Sequence, residues 1–100
     1  MPKVGSLNTH WIKPEKRADA IAFLEYNGNI QSKFPGFISR QILYSLSDPN
    51  KITTLTIWGS NQILDAWRAS SQRTAAMDKG GAHDLWAKTP ESERFDVADS

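Results

Sequence analysis

The segment from Phe37 to Trp58 constrains the fold more than any other part of the chain. From Phe37 to Leu46, apolar residues occupy both alternating sets: Phe37 and Leu43 in one, and Ile38, Ile42, Tyr44 and Leu46 in the other. Side chains alternate across a strand, so a strand with this pattern needs cover on both of its faces. Ser47-Asp48-Pro49-Asn50 follows with turn residues. Ile52 to Trp58 is rich in β-branched residues and pairs back as a hairpin partner. An antiparallel sheet with two faces to cover is therefore the starting point.

Before the hairpin, Ser6 to Ile12 alternates large residues and Thr and reads as a strand. It stops at Lys13-Pro14, because proline donates nothing to a ladder. Pro14 suits a helix's first turn, where its missing N–H is no loss. Ala20, Phe23, Tyr26, Ile30 and Phe34 then recur three or four apart as one helical stripe. Asn27-Gly28-Asn29 predicts a kink or an early end, since glycine weakens a helix. Pro35-Gly36 separates this helix from the hairpin. Beyond Trp58, Ser60 caps a helix carrying Ile63, Leu64 and Trp67. Ser70 or Ser71 caps a second through Met77, which Gly80-Gly81 stops. Ala82 to Glu93 is irregular, and Arg94 to Ala98 forms a last short strand with Phe95 and Val97 on one face.

The order β-α-β-β-α-β is the split βαβ of ferredoxin-like folds, an α+β class with an antiparallel sheet and helices on one face. Neither a repeat nor a linker divides the 100 residues, so residues 1–100 form a single domain. No chain remains to cover the second sheet face, and a two-fold homodimer that buries it is expected.

Composition closes off several functions. Twelve Lys+Arg against eleven Asp+Glu leave a charge of +1, without the basic surplus of a nucleic-acid or anionic-membrane binder. There is no cysteine, which removes disulfides, thiolate zinc sites and cysteine nucleophiles. The longest apolar run, Ala20 to Leu24, falls far short of the ~20 residues that span a bilayer. The N-terminus carries no apolar stretch of signal-peptide length. A cytoplasmic protein with no nucleic-acid or membrane partner is expected. His10 and His83 lack ligand spacing with Asp84, Glu91 or Glu93, so no metal is expected. No Gly-x-Ser-x-Gly elbow is present. Gly80-Gly81 lacks the Lys-Ser/Thr of a phosphate loop and reads as a helix stop.

Four segments in order resemble the antibiotic biosynthesis monooxygenase superfamily of dimeric ferredoxin-like α/β barrels. They are Phe34-Pro35-Gly36-Phe37-Ile38-Ser39-Arg40, Asp48-Pro49, Thr56-Ile57-Trp58-Gly59-Ser60 and Ala66-Trp67-Arg68-Ala69-Ser70. The pattern covers the chain from Lys13 to Met77. It implies a small-molecule pocket beneath Trp67, between helices and sheet. In the superfamily's haem-degrading branch, a strand Asn, a helix Trp and a histidine ligand carry the chemistry. Trp67 matches the Trp. The histidine falls on Met77, whose thioether is a poor sole ligand for haem that must react with oxygen. The Asn falls near Leu7, and Asn8, one step along, belongs to the opposite strand face.

What the resemblance implies is a cofactor-independent monooxygenase of a small aromatic or polyketide-like substrate. The pocket would be walled by Trp67, Met77, Thr9 and Ile38. Trp86 either lids the cavity or packs, and Trp67 either lines it or fills core. Arg40 is either an interface ion-pair member or the anchor of an acidic or phenolate substrate. His83 is either a general base at the pocket mouth or a surface histidine. The same pocket without an oxygen step makes an isomerase or tautomerase, and without chemistry a binding dimer.

Overall fold

The structure, a computed structural model, describes residues 2–80 and 84–98. Its strands are β1 (Val4–Trp11), β2 (Phe37–Tyr44), β3 (Lys51–Trp58) and β4 (Glu91–Asp96). Its helices are α1 (Arg17–Gln31), α2 (Asn61–Arg68) and α3 (Ser71–Gly80). The strands form one antiparallel sheet in the order β2-β3-β1-β4, with the helices packed on one face. This is the expected ferredoxin-like α+β arrangement.

Strand alternation decides what the helices meet. On β1, the helix-facing residues are Val4, Ser6, Asn8 and His10, followed by Ile12. On β3 they are Ile52, Thr54, Thr56 and Trp58, all buried. Both series are apolar at the ends and polar in the middle. Among the described residues, the core accordingly forms two clusters. Ile12, Ile52, Ala20, Phe23, Leu24 and Leu85 close one end. Val4, Trp58, Leu64 and Trp67 close the other, with Phe34 and Phe37 edge-on to the Trp58 ring at 6.2 and 5.8 Å. Edge-to-face pairs of this kind add about 1 kcal/mol each beyond their buried area.

Serines join the helices. Ser60 Oγ accepts from the Ile63 N–H at the start of α2. Ser70 Oγ accepts from the Arg73 N–H and donates to the Trp67 carbonyl oxygen, which caps α3 and closes α2 together. The turn before β2 needs Gly36, whose φ of +94° suits glycine and whose missing Cβ leaves room for Ile63.

Three expectations are corrected. The β2 register shifts between Phe37 and Ser39, a bulge that sets Phe37 opposite Trp58 and Ser39 opposite Ile57. Phe37 therefore shares the helix side with Ile42 and does not oppose it. The last strand begins at Glu91 and not at Arg94. Every residue of β4 is exposed, so it carries no buried alternation, and pairing with β1 alone defines it. Finally, α1 runs unbroken through Asn27-Gly28-Asn29 to Gln31. Gly28 serves packing there: Arg40 lies against it, and Arg40 Nη1 donates to the Leu24 carbonyl oxygen. Among the described residues, no helix is long and apolar enough to cross a membrane.

The close approach at Gly28 reverses a familiar sign. Gly→Ala inside a helix ordinarily stabilises by about 1 kcal/mol. Here the new Cβ lands on the Arg40 guanidinium, so Gly28→Ala is expected to lower the melting temperature. In an Arg40→Ala background the same substitution should raise it. Thermal melts of the four variants check this, and a stabilising Gly28→Ala in the parent chain would rule the contact out.

Candidate functional site

Between the two apolar clusters lies a cavity of about 400 Å³. It sits where the helix-facing sheet residues are polar, bounded below by Ser6, Asn8, His10, Thr54 and Thr56. Its apolar walls come from Trp58 and Trp67 at one end and from Phe23, Met77 and Trp86 at the other. Asn27 and Gln31 reach it from α1, Arg40 from β2, Arg68 from α2 and Arg73 from α3.

Part of the polar floor is internally satisfied. Asn8 Nδ2 donates to Ser6 Oγ at 3.3 Å, and Ser92 Oγ donates to Asn8 Oδ1 at 2.6 Å. Thr56 Oγ1 donates to Gln31 Oε1. The rest is not. Among the described residues, four buried side-chain atoms lack a hydrogen-bond partner: His10 Nδ1, Asn27 Oδ1, Arg40 Nε and Trp58 Nε1. All four residues line this cavity. Buried polar atoms are nearly always paired in folded proteins, so four unpaired ones on residues that line a single cavity set this region apart from the rest of the interior.

Electrostatics set the protonation states. Burial pushes the His10 imidazole down to about 4, and the Arg40 charge pushes the same way, against a hydrogen bond with the Ile52 backbone. His10 is thus neutral at physiological pH. Its ring lies 4.6 Å from that of Trp86. Burial lowers Arg40 to about 10, so the guanidinium stays charged. Arg73 is lowered by burial and by the charge of Arg68.

The residues singled out from sequence divide. Trp67, Met77, Trp86 and Arg40 come together around the cavity. Trp67 resolves its two alternatives by meeting both, since it is 3% exposed, packed on Trp58 at 5.9 Å and still part of the wall. Arg40 takes part in no ion pair among the described residues. Thr9 is not in this cavity. It pairs with Thr53, its Oγ1 3.4 Å from Thr53 Oγ1, on the sheet face away from the helices. Ile38 sits at the β2 bulge, 45% exposed, and does not line the cavity either. His83 lies outside the described residues.

Sequence reasoning overlooked Asn27, Gln31 and Arg73, weighed His10 only as a metal ligand and set Asn8 aside. The signal was present: Ser6, Asn8 and His10 share one strand face between Val4 and Ile12, as Thr54 and Thr56 do between Ile52 and Trp58. Among the described residues, no three His, Asp or Glu side chains gather as a metal site.

His10 makes stability depend on pH in a stated direction. Its folded pKa lies below the unfolded value of 6.5, so the unfolded chain binds the extra proton. The stability is fully present above pH 6.5 and is lost as pH falls through about 4. The shift corresponds to about 3 kcal/mol. Urea unfolding from pH 7 to 4 should show this loss in the parent chain and a flatter profile in His10→Gln. Parallel profiles would exclude His10 as its source.

Among solved structures, SnoaB, a cofactor-independent oxygenase from Streptomyces nogalater, superposes with a TM-score of 0.84 at 15% identity, covering 100% of this chain and 97% of that one. A conserved protein from Methanosarcina mazei Go1 gives 0.84 at 19% identity, covering 96% and 93%. Rv0793 from Mycobacterium tuberculosis gives 0.83 at 16% identity, covering 98% and 97%. At these identities the likeness is one of fold. No curated protein matches significantly in sequence. The sequence model of the antibiotic biosynthesis monooxygenase family matches residues 4–79, from β1 into α3. The chain therefore belongs to the antibiotic biosynthesis monooxygenase family.

Proposed function

We propose that this protein is a monooxygenase of a small, electron-rich aromatic or polyketide-like substrate and works without metal or flavin. The observation that carries the reading is the aromatic-walled cavity lined by His10, Asn27 and Arg40, each of which has a buried polar atom without a partner. Family membership and the fold shared with a cofactor-independent oxygenase support it.

In this reading Trp67, Met77 and Trp86 hold the ring system. His10, neutral at physiological pH, takes the proton of a substrate hydroxyl or acidic C–H. It does the work first assigned to His83. Arg40 holds the anion that results. That anion offsets the Arg40 charge, the smaller of the two effects that lower His10, while burial, the larger, remains. The substrate anion then gives an electron to dioxygen, and the two radicals join as a peroxide. The peroxide anion takes back the proton held by His10, and cleavage of its O–O bond with loss of the hydrogen on the same carbon releases water and leaves a carbonyl, so one oxygen atom enters product and the other enters water.

The active unit in this proposal is a homodimer formed through the sheet face away from the helices. Leu7, Leu55 and Ile57 occupy that face, beside Leu43 and Phe95, each 43% exposed. Apolar side chains gathered on one sheet face and left partly open to solvent are what a partner surface would cover. Light scattering should give twice the 11.2 kDa of one chain, whereas a mass of 11.2 kDa at micromolar concentration contradicts the dimer.

The catalytic proposal is tested by oxygen uptake with a panel of naphthols and hydroxynaphthoquinones. Uptake that depends on the protein and falls about 100-fold in His10→Gln is expected. Binding without uptake for every compound would leave a binding protein or an isomerase and reject the oxygenase.

A further inference from the structure

Among the described residues, the charged side chains that line the cavity are of a single sign. Arg40, Arg68 and Arg73 line it, and among the described residues no aspartate or glutamate does. The ion pairs among the described residues join Lys13 and Lys16 to Asp84 and Arg94 to Asp65, leaving the three arginines out.

For Arg68, exposed at the end of α2, water is partner enough. Arg40 is in another position. A guanidinium carries five N–H donors. Arg40 satisfies one through Nη1 on the Leu24 carbonyl oxygen, while its Nε is buried without a partner. A backbone carbonyl brings no negative charge. A half-buried cation with no anion beside it is costly, and a fold tolerates that most readily where something else supplies the anion. Arg73, part-buried beside the like charge of Arg68, adds to the same imbalance. The neighbouring walls at Trp67 and Trp86 are flat and aromatic.

We infer that the ligand of this cavity is a planar aromatic anion, bearing a carboxylate or a phenol ionised at neutral pH, whose charge is set against Arg40 and drawn in by Arg68 and Arg73. This rests on the cavity being the substrate site proposed above and adds the charge that the substrate must carry.

Calorimetric titration of the full chain with a hydroxynaphthoate, and with the naphthol that lacks only the carboxylate, tests it. The anion should bind at least about tenfold more tightly, the yield of one charge-assisted hydrogen bond. That preference should weaken with added salt and vanish in Arg40→Met. In Arg68→Gln/Arg73→Gln, a change at the rim that tests the charges without touching Arg40, it should shrink and lose part of its salt dependence. Equal binding of both compounds by the parent chain overturns the inference, as does an unchanged preference in Arg40→Met that is folded by circular dichroism. If Arg40→Met does not fold, a salt-independent preference, or one unchanged in the double variant, overturns it. The two proposals fail separately. Naphthol oxidised without any preference for the anion sinks only the charge requirement. Tight hydroxynaphthoate binding with no oxygen consumed sinks only the oxygenase. Binding of neither compound sinks both.

Discussion

The structure depends on a gap in the hydrophobic pattern of its own sheet. A helix layer adheres to a sheet because apolar side chains leave water between them. On β1 and β3 that adhesion is available only at the ends, where Val4 and Trp58 lie at one side and Ile12 and Ile52 at the other. Between them, Ser6, Asn8, His10, Thr54 and Thr56 offer polar groups, which a close-packed helix would have to satisfy atom by atom. Gln31 does so for Thr56, but the remaining positions are spanned and not filled. The cavity is thus written into the strand pattern. The loop between α3 and β4 adds Trp86 and Pro90 to a wall that is otherwise carried by the sheet and the helices.

This explains which features were legible in sequence. Element order, the split of the last helix at Ser70 and the family pattern all rest on local signals: periodicity, caps and short motifs. Trp67, Met77, Trp86 and Arg40, singled out from such signals, all line the cavity. What failed were statements that need register. Thr9 and Asn8 differ by one step, and one step selects the opposite face. Periodicity alone does not say which set of β1 faces the helices. Pairing with β3 does, through His10↔Ile52 and Val4↔Trp58. Ile38 was misread for a related reason: a bulge adds a residue to one strand, so alternation counted from Phe37 is out of phase by Arg40. The early residues of β4 left no trace, because an edge strand exposed along its length has no buried set to alternate with.

Gly28 is the instructive failure, since its local propensity was read correctly and was overridden. The glycine does weaken the helix, and α1 nevertheless continues, because the vacant Cβ position admits Arg40 to the Leu24 carbonyl. Helix and strand are thereby linked by a side chain that also faces the cavity. A lysine would not reproduce this, since its compact ammonium lacks the planar fork that bonds a carbonyl with one nitrogen and keeps others free.

The same linkage joins stability to function. Arg40 and His10 are each held away from their ordinary protonation equilibria chiefly by burial, and the Arg40 charge acts on His10 as well. The folded chain therefore carries a cost at its cavity that a fully apolar interior would not. The two clusters on either side, with Trp58 at 1% exposure and Ile52 at 0%, are what sustain it. A sheet that was apolar throughout its helix-facing side would be easier to fold, but it would close over the space between Trp67 and Trp86 and leave no polar group there to meet a substrate.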